Sequence, residues 1–120
     1  MSCTFQIQDN VLWSPAIRIG HLFKGQAEAA ATAFRLTSGL DDIIEDECEI
    51  DLPIFEKFVT EMLREYSSAT HPVLRALTRD FIAAASVLVE RAGGRFPDLG
   101  EEQDRMWDQL RQEYARSMPR

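Results

Sequence analysis

The chain has 120 residues, 45% hydrophobic and 28% charged, with a formal net charge of −7. That length suits one domain able to bury its own core, and the composition excludes wholesale disorder. The acidic balance argues against direct binding to nucleic acid, and no apolar run is long enough to cross a bilayer.

The N-terminal stretch alternates with period two. Phe5, Ile7, Val11 and Trp13 share a parity, and Asp9-Asn10 suits a two-residue turn, which predicts a β-hairpin over residues 4–13. Ser14-Pro15 reads as an N-cap and first helical position, so a first helix is expected over about 15–36. Its buried stripe is expected to be Ile19, Leu22, Phe23, Ala27, Ala30 and Phe34, closed by Thr37-Ser38-Gly39.

An acidic segment follows. Leu40, Ile43, Ile44 and Cys48 recur as one face of a short helix, while the stretch from Glu47 to Ile50 equally suits a short strand. Asp51 caps a second helix over about 52–67, with Ile54, Phe55, Phe58, Val59, Met62, Leu63 and Tyr66 on one side. His71-Pro72 opens a third helix over about 72–92, with His71 as a local hydrogen-bonding residue and Gly93-Gly94 as the stop. Val73, Leu74, Leu77, Phe81, Ile82, Ala85, Leu88 and Val89 mark it as the most buried helix. A last helix over about 101–117 starts with Glu101, Glu102 and Asp104, as the helix dipole favours, and carries Met106, Trp107, Leu110 and Tyr114. The expected fold is therefore mostly α: a small antiparallel bundle of about four helices, capped by the hairpin, in a single domain over residues 1–120.

The charge imbalance has one local origin. Asp41, Asp42, Glu45, Asp46, Glu47, Glu49 and Asp51 fall in eleven residues without a base, leaving thirteen acids against thirteen bases elsewhere. Two chemistries use such a segment. One is a docking surface of Asp41, Asp42, Glu45, Asp46, Glu47 and Glu49, with Trp13 as an aromatic anchor, facing a partner protein with a basic surface. The other is a divalent-cation site of Asp41, Asp42 and Glu45, as in enzymes acting on phosphorylated small molecules. No second metal motif accompanies it, and no CxxC, HExxH, GxSxG or phosphate-binding glycine loop occurs. No catalytic residue and no cofactor is assigned. Cys3 and Cys48, with no leader-like N-terminus, are expected to be free thiols in a cytoplasmic protein. Self-association into a homodimer through an exposed hairpin edge is a third expectation.

Four strings stand out: Leu12-Trp13-Ser14-Pro15 after a Phe-x-Ile strand, Asp46-Glu47-Cys48-Glu49-Ile50-Asp51, His71-Pro72-Val73-Leu74-Arg75-Ala76-Leu77, and Val89-Glu90-Arg91-Ala92-Gly93-Gly94. Together they resemble a family of small single-domain actinobacterial proteins of unknown function, over the chain up to about Leu99. The resemblance implies an organism group, which the arginine-rich base composition suits, and no activity. The functional expectation is thus a protein-interaction module, an immunity or regulatory protein, working through the acidic segment.

Overall fold

The computed structural model describes residues 1–120. The hairpin forms from β1 (Thr4–Ile7) and β2 (Asn10–Trp13), with Gln8-Asp9 as its turn, one residue earlier than expected. Its register shifts between Phe5 and Gln6: Phe5 faces Trp13, but Gln6 faces Val11. The extra residue on β2 is Leu12. A bulge of this kind breaks the two-residue alternation, so Leu12 and Trp13 are both buried and Val11 is only half-buried.

Extended pairing continues past the hairpin. The Cys3 amide donates to the Pro15 carbonyl at 2.8 Å, and Ser2 bridges Ala16. Ser14 and Pro15 are therefore held extended and do not open the helix. Helix α1 runs Ile17–Phe34, with Ala16 at its N-cap and no side-chain cap. It ends at Arg35, whose left-handed backbone (φ 57°) turns the chain while the Leu36 amide donates to the Ala31 carbonyl at 2.8 Å.

The rotation of α1 also differs from the sequence expectation. Gly20, Phe23, Ala27 and Ala31 face the core, whereas Ile19 and Leu22 are 52% and 62% exposed. The cause lies at Gly20. A β-carbon there would come within 2.7 Å of the Cys3 Cβ, so only glycine lets the helix lie this close to the N-terminal strand. That contact turns the larger aliphatics outward.

The remaining helices are α2 (Leu52–Ser68), α3 (Pro72–Arg91) and α4 (Glu101–Ala115). Asp51 caps α2 by accepting from the Ile54 amide, and the His71 Nδ1 caps α3 by accepting from the Val73 amide. The α2 stripe is as expected except for Ile54, which is exposed. Helix α3 is the hub, packing on α1, α2, α4 and β2, and its buried run extends from Phe81 to Val89. Its first turns project beyond that core, so Val73 and Leu77 are exposed. A chain of rings (Trp13, Phe5, Phe23, Phe81, Phe58) crosses the interior with successive centroids 5.3 to 6.2 Å apart.

Two arginines close the structure. The Arg91 Nη1 donates to the Leu12 carbonyl at 2.8 Å, and its Nη2 donates to the Ala115 carbonyl at 3.3 Å. Arg91 thereby ties α3 to β2 and to the end of α4. Arg111, buried on α4, lies 4.0 Å over the Phe96 ring and pairs with Glu90 and Asp108.

Candidate functional site

The acidic segment is built onto the sheet. Glu47–Glu49 forms β3, which pairs in parallel with β1, giving the order β2-β1-β3. The strand reading of this stretch therefore holds and the helical one does not, because alternation wins. Cys48 opposite Phe5 is fully buried, while Glu47 and Glu49 on either side are exposed. On the outer face Gln6 sits between them, its Nε2 donating to Glu49 Oε1 at 2.7 Å and to Glu47 Oε2 at 3.5 Å. The Gln8 amide donates to Glu49 Oε2 at 3.0 Å. Glu49 is thus partly structural.

A tight turn precedes β3. Ile44 and Glu47 exchange backbone hydrogen bonds at 2.9 and 3.0 Å, leaving Glu45 and Asp46 as the two turn residues. Both have left-handed backbone, φ 52° and 63°. That is the hairpin turn for which glycine and asparagine are suited, so two acids stand there at a backbone cost. Residues 40–44 return along the outer side of β3: Leu40 bridges Ile50, and the Asp41 amide donates to the Glu49 carbonyl at 2.9 Å. With Arg91 on the Leu12 carbonyl at the other end, both edges of the sheet are occupied in part.

Beside β3 lies an open groove of about 730 Å³. Glu28, Asp41, Glu49 and Asp51 line it, together with Ser38 and Gly39. Buried Ser38 donates to Glu28 Oε1 at 2.7 Å and accepts from the Leu40 amide at 3.1 Å. Burial raises the Glu28 pKa, but the Ser38 hydroxyl and Lys24 outweigh it, so the carboxyl lies below its ordinary value. Gly39, at φ +81°, presses on the start of α2; a β-carbon there would lie 2.6 Å from the Phe55 amide nitrogen. These contacts fix the groove wall.

The structure brings Asp41, Asp42, Glu45, Asp46, Glu47 and Glu49 to one edge of the molecule. None of the six ion pairs in the protein includes any of them. Trp13 is not with them. It is 6% exposed, stacked on Phe5 at 5.5 Å and edge-on to Phe23, so it belongs to the core and cannot anchor a partner. Asp41, Asp42 and Glu45 do not converge on a point, and no group of three His, Cys, Asp or Glu side chains is spaced to hold a metal ion.

A family described as of unknown function, DUF6086, matches residues 1–120. The chain belongs to DUF6086. No match was found among the curated proteins or among the solved structures. Within this DUF6086 chain, the groove was missed by sequence reasoning because its wall combines Glu28, from the middle of α1, with Ser38. The only sequence signal was the glycine at position 39, at the start of the acidic run.

Two thiols lie in the core beneath this edge, both fully buried. Cys48 donates to the Asp41 carbonyl at 3.2 Å. Burial pushes its thiol up to about 12, with nearby Lys24 opposing and Cys3 and the acids reinforcing. Cys3 is raised in the same direction by burial and Asp46. Phe5 is the residue opposite Cys48, so Cys3 is offset by two along the strand. Strand spacings then put the two Cα atoms about 8 Å apart, beyond the reach of a disulfide. Both are free cysteines.

Proposed function

We propose that this protein is a cytoplasmic interaction module, of the immunity or regulatory kind, that docks its acidic edge against a basic surface on another protein. The observation that carries the reading is the set of carboxylates on β3 and its turn, ordered and without an ion-pair partner in the chain, with Glu45, Glu47 and Glu49 exposed and Asp46 half-buried. An ordered acidic edge costs self-repulsion, and a basic partner removes that cost while its approach is accelerated by the field. The groove beside β3 offers carboxylates from Glu28, Asp41, Glu49 and Asp51 to an arginine or lysine side chain entering from the partner.

The test is affinity capture from host extract with the wild type and with a triple variant, Asp42→Asn, Glu45→Gln and Glu47→Gln. These three side chains are exposed and their replacement leaves the Glu49 and Ser38 contacts in place. The expected result is a basic protein retained by the wild type at low salt, released as salt is raised, and not retained by the variant. Equal retention by both proteins would defeat the proposal.

A further inference from the structure

The largest aliphatic exposure in the molecule lies away from the acids, on α1 and the start of α3. Ile19, Leu22, Gln26, Ala29 and Ala33 are all exposed and follow one another at spacings of three and four, so they form one uncharged stripe along α1. Helix α3 lies alongside, joined through Phe23 and Phe81 at 5.3 Å. It adds Leu77 at 75% exposed and Val73 at 57%. An apolar groove of about 340 Å³ runs between Ala29, Ala30, Ala33 and Phe34 on one helix and Leu74 and Leu77 on the other. In a chain of this charge density, such a face calls for a partner surface.

The stripe is complementary to itself. Its large residues, Ile19 and Leu22, lie in the N-terminal half, and its small ones, Ala29 and Ala33, in the C-terminal half. Gln26 is equidistant from both ends. Reversing the helix direction about Gln26 places Ile19 opposite position 33 and Leu22 opposite positions 29 and 30, beside the apolar groove. A parallel arrangement would instead set large on large and small on small. Gly25 points the same way. It sits mid-helix, where glycine is unfavourable, and a β-carbon there would meet nothing within 4 Å in its own chain. At a two-fold axis beside Gln26, its missing side chain lets two backbones approach.

The area suffices. An 18-residue helix is about 27 Å long, and two packed helices with side chains span about 20 Å. The flat projection is then roughly 540 Å² per partner, or about 1,080 Å² for the pair, above the ~1,000 Å² that a specific interface needs.

We propose that a second copy of this chain occupies the face, forming an isologous dimer in which α1 packs antiparallel on the partner's α1 about a two-fold axis at Gln26. The proposal does not depend on the acidic-edge reading, because no residue of the 41–51 segment lies on this face. The net charge of each copy opposes association, and so do Arg18 and Arg35, which meet at the rim. Added salt therefore tightens the dimer, whereas it weakens docking to a basic partner.

Sedimentation equilibrium is the test, read against the chain mass of 13.7 kDa. The wild type is expected at about twice that mass. Leu22→Glu and Ala29→Glu change exposed positions, so both are expected to keep the wild-type helical circular dichroism and to sediment as monomers. Gly25→Ala is expected to strengthen the helix of the monomer yet loosen the dimer. Gln26→Cys is expected to cross-link to itself under mild oxidant or a short bismaleimide, because only a residue at the two-fold axis meets its own copy. A wild-type monomer at every attainable concentration overturns the proposal. So does a dimer that survives both glutamate substitutions, or one whose Gln26→Cys form stays uncross-linked.

Discussion

Cys48 shows how one side chain links the core to the acidic edge. Alternation along β3 turns it inward against β1, and its thiol hydrogen bonds to the Asp41 carbonyl. Burial and the surrounding carboxylates favour the neutral thiol, moving its pKa from 9.0 to about 12. The folded-state value is raised, so the stabilisation is complete below the unfolded value of 9.0 and is lost as pH rises toward about 12. Unfolding by urea should therefore become easier as pH rises from about 9 toward about 12, and a Cys48→Ala variant should show a shallower loss. The native thiol should also resist alkylation at neutral pH and react only once denaturant opens the sheet. Equal alkylation rates in buffer and in urea would rule out this account of the residue.

At the scale of elements, the turn at Glu45-Asp46 is the place where local backbone preference and residue type disagree. Left-handed backbone costs roughly 1–2 kcal/mol for a residue with a β-carbon, and less for asparagine or none for glycine. Replacing the pair with Asn-Gly should raise stability by about 1 kcal/mol, or about 4 °C in melting temperature for a domain of this size. The same change removes two of the free carboxylates, so it should also weaken capture of a basic partner. Higher stability with unchanged capture would mean that these two acids have no role in docking. A lower melting temperature would mean that their side chains support the turn.

The turn was outside what the sequence could reveal, and the reason recurs elsewhere. Helices α2 and α3 were legible because long periodic stripes meet capping residues, Asp51 and His71, at the expected positions, and α4 because its acids gather in the first turn. The hairpin was legible, but not the bulge at Leu12, because one inserted residue leaves the composition unchanged and inverts every side chain after it. Ile19 and Leu22 pattern as core, yet a contact between Gly20 and Cys3, seventeen residues apart, sets the helix rotation. Trp13 was assigned to the docking surface by residue type alone, and the bulge buries it. Arg91 and Arg111 look like surface bases in the sequence; their partners, Leu12 and Glu90, are distant along the chain. Of the candidate site, the acids were legible as a run, while their gathering on and beside one parallel strand required the pairing of β3 with β1.

For the molecule as a whole, the separation of charge has a thermodynamic consequence. The chain measures 39 by 27 by 24 Å, and the six acids from Asp41 to Glu49 lie at one edge of it without ion pairs. At about 0.01 M salt the screening length is about 30 Å, comparable to the whole domain, so each acid feels all the others. At about 0.15 M it falls to about 8 Å, and only adjacent acids interact. Unfolding lets the segment expand and relieves the repulsion. The melting temperature should therefore rise with sodium chloride, mostly over the range from about 0.01 to about 0.15 M, and then level off. The triple variant Asp42→Asn, Glu45→Gln and Glu47→Gln should melt higher than the wild type at low salt and respond less to added salt. Both melts should be run at a single low protein concentration, since association through α1 would add its own salt dependence. A variant that melts lower than the wild type at low salt would show that the acids stabilise the edge they occupy. The tension between fold and binding, on which the docking proposal rests, would then be absent.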